Sequence, residues 1–210
     1  MKKYIYIVFL SVALAACSNT KKWNTTADQV NADKPKYTVY QERLVNYRDS
    51  MSAVFYSGSN GVLPKEAISP VGKLNYFDID EAFRVTAVFQ KIENGKEFEM
   101  KTSTDRLPLY RVYGILKFEF DGKHQELNLY QNVEQPDYLF CPFKDKTNGS
   151  ISYGAGRYLD FSLEDMSNPV LDFNYAYNPY CAYNHLYSCP IPPAENHLEV
   201  SIPAGEKKWN

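Results

Sequence analysis

The run Tyr110-Arg111-Val112-Tyr113-Gly114-Ile115-Leu116-Lys117-Phe118-Glu119-Phe120-Asp121-Gly122 decides the fold. Tyr110, Val112, Leu116, Phe118 and Phe120 share one parity, and Arg111, Lys117 and Glu119 take the other. That period of two marks a half-buried strand. Asp121-Gly122 tolerates positive φ and predicts a tight hairpin, after which Leu127 and Leu129 give the returning strand its inner face. Working outward, Phe83, Val85, Ala87 and Phe89 alternate with Arg84, Thr86 and Gln90 as an earlier strand. Residues 98–103 read as the next strand, 138–143 as another and 197–202 as the last. Upstream, Tyr40, Leu44, Tyr47, Met51, Val54 and Phe55 recur at helical spacing, which predicts an amphipathic helix over 37–56. Gly58, Gly61, Pro64 and Pro70 make 57–70 a loop. One helix followed by short, locally connected strands predicts a mainly β (α+β) fold, an antiparallel β-sandwich or barrel-like sheet with one N-terminal amphipathic helix.

The chain begins with a different signal. Lys2 and Lys3 precede an apolar stretch over 4–14, and Leu14-Ala15-Ala16-Cys17 closes it. The stretch is too short for the roughly 20 residues that cross a bilayer as a helix, and its small-residue ending reads as a signal peptide. The pattern resembles the lipobox of bacterial lipoproteins. That resemblance implies removal of 1–16, acylation of the Cys17 thiol and a membrane-lipid partner held by the fatty chains. Ser18, rather than Asp, follows the cysteine, which by the same resemblance implies an outer-membrane address in the cell envelope. The alternative is ordinary cleavage after Ala15, which leaves a soluble protein. Residues 17–36 are polar and aperiodic and read as a flexible tether. Residues 37–210 then form a single globular domain.

Composition narrows the partners. Without Lys2 and Lys3 the formal charge moves from −2 to −4, and no basic stripe remains to neutralise phosphates, which excludes nucleic-acid binding. The chain has 18 tyrosines, whose apolar bodies and polar tips suit sheets and half-buried pockets. With Cys17 acylated, Cys141, Cys181 and Cys189 remain. Cys141, inside an apolar run, reads as a buried small hydrophobe. Cys181 and Cys189, eight apart in a proline-flanked stretch, could form a disulfide worth about 2.5 kcal/mol. They could also remain two thiols, or join His185 in a metal site that still falls short of the four ligands a structural zinc needs. The disulfide is favoured, and no metal is assigned.

The carboxy-terminal third resembles a bacterial family of unknown function, domain of unknown function 1684. The matching runs are Tyr153-Gly154-Ala155-Gly156-Arg157-Tyr158-Leu159-Asp160 and Asp172-Phe173-Asn174-Tyr175-Ala176-Tyr177-Asn178-Pro179. They continue through Cys181-Ala182-Tyr183, Cys189-Pro190 and Pro192-Pro193-Ala194-Glu195-Asn196 to Ala204-Gly205-Glu206-Lys207. The resemblance implies no particular reaction.

Chemistry must therefore be read from side chains. Gly-x-Ser-x-Gly, His-Glu-x-x-His, P-loop and Cys-x-x-Cys patterns are all missing, so no cofactor is implied. Gly154-Ala155-Gly156 lacks the third glycine of a dinucleotide fingerprint and instead permits a bulge or close backbone approach. Arg157, Asp160, Asp172, Asn174, Tyr177, Asn178, Glu195 and Asn196, with Asp145 nearby, are the candidate ligand-binding set. Buried charges must pair or face a cleft. Arg157 could clamp an anion while Asp172 or Glu195 serves as a base or binds a sugar hydroxyl. Otherwise Arg157 bridges Asp160 or Asp172 in a structural network. Three function classes follow: a lipid-anchored binding module for a small polar ligand such as a glycan fragment or anion, a cofactor-independent hydrolase, and a protein-interaction lipoprotein. The binding module is the leading reading.

Overall fold

A computed structural model describes residues 37–209. The leader, the tether and Cys17 lie outside the described residues. The single α-helix among the described residues, α1 (Val39–Tyr56), starts at a capping box in which Thr38 and Gln41 satisfy each other's backbone amides. Leu44, Ser52 and Phe55 form its buried face. Among the described residues no helix is long and apolar enough to cross a membrane.

Eight strands follow: β1 (Arg84–Thr86), β2 (Val88–Lys91), β3 (Glu97–Glu99), β4 (Leu109–Phe120), β5 (Lys123–Asn132), β6 (Tyr138–Phe143), β7 (Arg157–Ser162) and β8 (Val170–Asp172). All pair antiparallel. β2, β4, β5, β6 and β7 lie in that order, with β3 also on β4, and β1 pairs with β8 in a separate two-stranded sheet. The sheets do not close into a barrel.

The β4–β5 hairpin forms where expected, with Asp121 at φ 51° and Gly122 at φ 67°. Its faces differ from the expected pattern. A bulge between Val112 and Gly114 adds one residue to β4, and each such insertion turns the strand over. Leu116 and Phe118 therefore enter the main core beside Leu127 and Leu129. Tyr110 instead joins Met100, Tyr130, Phe140 and Tyr158 in a second cluster. Leu129 and Tyr130 are consecutive, so these clusters occupy opposite faces of the sheet.

The main core is closed by Leu171 and Phe173 and by the stretch carrying Leu198, Val200, Ile202 and Ala204. Residues 197–202 keep the alternating burial of the expected strand but form no ladder. They run alongside 144–146 through single contacts, Leu198 N–H to Lys144 O at 2.8 Å and Lys146 N–H to Val200 O at 2.9 Å. The expected strand through 83–90 is likewise two strands, β1 and β2, which separate at Ala87 into different sheets. Cys141 is fully buried, as expected.

Candidate functional site

Strand alternation builds a cleft on the face turned away from the main core. On β7, Leu159 and Phe161 enter the core, so Tyr158 and Asp160 face the other way. Phe140, opposite Asp160 on β6, shares that face, and the β4 bulge brings Tyr110 to it. Tyr47 on α1 and the stretches 177–180 and 188–190 complete the walls of a cavity of about 590 Å³.

Three carboxylates line it, exposed Glu134 and the two that the fold holds in place, Asp160 and Glu206. The Tyr177 hydroxyl donates to Asp160 at 2.6 Å. Tyr177 is itself held beside β7 by paired backbone bonds with Tyr158, at 2.9 and 3.1 Å. Asp160 is surrounded by protein, which pushes its carboxyl above the ordinary range, and the Tyr177 bond pulls it part of the way back. The carboxylate nonetheless opens onto the cleft, where water reaches it. Glu206 is only 2% exposed. Burial pushes it up to about 7, against hydrogen bonds from Tyr183, the Asn178 amide and Tyr76 and the charge of Arg157. The Tyr183 hydroxyl and the Asn178 N–H reach the same Glu206 oxygen at 2.6 and 2.7 Å. Tyr47 lies within electrostatic reach of Asp160 and Glu206. The one cation in the lining, Arg106, is tied to Ser188 through its carbonyl at 3.0 Å and its hydroxyl at 3.3 Å.

Of the eight candidates, Asp160, Tyr177 and Asn178 meet in this cleft. The other five lie elsewhere. Arg157 is fully buried and pairs with neither Asp160 nor Asp172 but with Asp145, at 2.8 Å. It donates further to the carbonyls of Ile202, Ala204 and Glu206, while Asp145 accepts from the amides of Thr147 and Ile202. A fixed guanidinium fork can bind several carbonyls in this way, and one left unpaired could not stay buried. Arg157 thus fastens 202–206 and positions Glu206 from behind. Asp172 accepts the Tyr40 hydroxyl and so docks α1. Fully buried Asn174 holds the Asp80 backbone through both ends of its amide, and Asn196 does the same for Asn128 and also binds Pro142 O. Glu195 is exposed on a short turn.

Gly156 makes the close approach expected of it: at φ 108°, a Cβ there would stand 2.7 Å from Phe143 O. Cys181 and Cys189, the expected disulfide pair, are brought together, with no bond drawn between their sulfurs in this structure. The Cys181 N–H points at the Cys189 sulfur at 3.1 Å. Sequence reasoning missed Glu206 as a site residue. Its signal was Gly205, whose φ of 75° against the backbone of Phe173 and Ala176 marks a fixed turn rather than a loose tail.

This arrangement offers aromatic surfaces for stacking, carboxylate and amide groups for hydroxyls, and one carboxyl able to exchange a proton near neutrality. The family described as Protein of unknown function (DUF1684) matches residues 72–207. A solution structure of an uncharacterised protein from gene locus rrnAC0354 of Haloarcula marismortui is 35% identical. That match has a TM-score of 0.63 and covers 80% of this chain and 94% of that one. No curated protein matches the chain. The family match encloses β1 to β8 and the cleft residues Asp160, Tyr177 and Glu206, and the chain belongs to the DUF1684 family.

Proposed function

We propose that this protein is a lipid-anchored envelope module whose cleft binds a small neutral polyhydroxylated ligand of the monosaccharide class. The observation that carries the reading is the convergence of tyrosine faces with Asp160 and Asn178 in one open cavity. Sugar rings present apolar faces to aromatics and hydroxyls to carboxylates, and both partners lie within a few ångströms here. An anion is disfavoured. Arg157, its proposed clamp, is spent on Asp145 and backbone carbonyls, and the cleft adds Asp160, Glu206 and Glu134 against Arg106 alone. The anchor rests on the Leu14-Ala15-Ala16-Cys17 pattern. Titration calorimetry against glucose, galactose, N-acetylglucosamine and inorganic phosphate tests the ligand class. One of the sugars binds and phosphate does not. Asp160→Asn weakens the sugar by about tenfold, as expected for losing one charge-assisted hydrogen bond. Phosphate binding without sugar binding would overturn the reading.

A second reading has its own support. Glu206, held near neutrality, and Asp160 line the same cleft, and pairs of carboxyls with separated proton affinities perform hydrolysis of glycosides. Turnover of chromogenic nitrophenyl glycosides that disappears in Glu206→Gln would favour this enzyme over the binding module.

A further inference from the structure

We propose that Cys181 and Cys189 form a redox-active dithiol that a small hydroperoxide converts to a disulfide, with Cys181 attacking and Cys189 resolving. The inference does not depend on what the cleft binds. It rests on three observations of placement. The two residues are in contact: the Cys181 amide donates to the Cys189 sulfur at 3.1 Å. That contact brings an S–S bond of about 2.05 Å within reach of side-chain rotation. Access is unequal. Cys181 is half-buried and open to reagent, whereas Cys189 is 7% exposed. The surroundings are also unequal. The Tyr153 hydroxyl lies 3.7 Å from the Cys181 sulfur, placed to donate to a thiolate there, and the Cys181 thiol is lowered while that of Cys189 is raised in spite of its backbone N–H donor. These contacts bias ionisation toward Cys181.

The chemistry balances. The Cys181 thiolate attacks the peroxide, an S–O bond forms and the O–O bond breaks, and the leaving oxygen departs as water or alcohol after taking a proton. Cys181 is then a sulfenic acid, oxidised by two electrons. The Cys189 sulfur attacks it, an S–S bond forms, the S–O bond breaks, and water leaves with the proton that Cys189 carried. Two thiols and one hydroperoxide yield one disulfide, one water and one further water or alcohol.

The bridge also acts on the cleft wall. Cys189 lies between Ser188 and Pro190, which line the cavity, and Tyr180 precedes Cys181 there. Closure ties these two wall segments together. Cys141, fully buried with burial pushing its thiol up, is an internal control that should not react.

The test uses the full chain, reduced, freed of reductant and treated with one equivalent of hydrogen peroxide. Alkylation and peptide mapping should show loss of two hydrogens, a Cys181–Cys189 link, and Cys141 still alkylatable after denaturation. Cys189→Ser should trap a dimedone-reactive sulfenic acid on Cys181. Cys181→Ser should slow peroxide consumption at least about tenfold, since a one-unit preference in ionisation alone gives that factor at neutral pH. Three results would overturn the proposal: both thiols alkylatable after peroxide, a link that includes Cys141, or dimedone captured by Cys189 in the wild-type chain. The mapping on unmutated protein decides the matter even where a serine variant fails to fold.

Discussion

Replacing Glu206 with Gln removes one ionisable group from the cleft while keeping its shape. Burial holds Glu206 up at about 7, against an ordinary value of 4.5. Between those values the folded chain keeps a proton that the unfolded chain releases. Unfolding then releases protons, so stability falls as pH rises through this window. The contribution is whole below about pH 4.5 and gone above about pH 7. A separation of 2.5 units, at about 1.4 kcal/mol each, gives about 3 kcal/mol. Asp160 is raised in the same direction and stays in the variant, so it adds a slope common to both proteins. A glutamine oxygen still accepts from Tyr183 and the Asn178 amide, which limits collateral damage. Urea unfolding at a series of pH values from about 4 to about 8.5 is the assay. Wild-type stability should fall by about 3 kcal/mol more than that of Glu206→Gln across the range. Parallel curves would refute the claim that a protonable carboxyl is buried there.

Other perturbations test the scaffold behind the cleft. Arg157→Met leaves the Asp145 carboxylate buried alone and should cost about 3–5 kcal/mol in urea unfolding, with Arg157→Met/Asp145→Leu recovering part of that loss. Gly205→Ala forces a Cβ to within 2.5 Å of Ala176 O at φ 75°, and should lower stability by more than about 1 kcal/mol in thermal unfolding. Tyr40→Phe removes the donor to Asp172 and should cost about 1 kcal/mol by the same measurement.

Local rules made part of this molecule legible. The β4–β5 hairpin is coded by alternation and a two-residue turn, both contained within neighbouring residues, and α1 by its 3.6-residue period. The bulge in β4 is not legible, because Tyr110, Val112, Leu116 and Phe118 keep one parity across it. Only pairing with β5 reveals the half-turn that moves Tyr110 to the cleft face. The candidate site was legible in composition more than in geometry. Asp160, Tyr177 and Asn178, which share one cleft, stand out because they lie in unusual polar-aromatic runs. Arg157 stands in such a run too, but its partners are Asp145 and the carbonyls of 202–206, 45 to 49 residues away, and no local spacing announces them. Asn174 and Asn196 show the same limit. A buried amide that clips a distant backbone looks, in one dimension, like an amide poised for a ligand.

The most direct test of the proposed sugar binding is a chemical-shift titration of the isotopically labelled protein with glucose, galactose and N-acetylglucosamine. Shifts concentrated at Tyr158, Asp160, Tyr177 and Asn178, and absent at Asn174 and Asn196, are the expected result. Silence with all three sugars, or shifts centred on 172–174 instead, would contradict it.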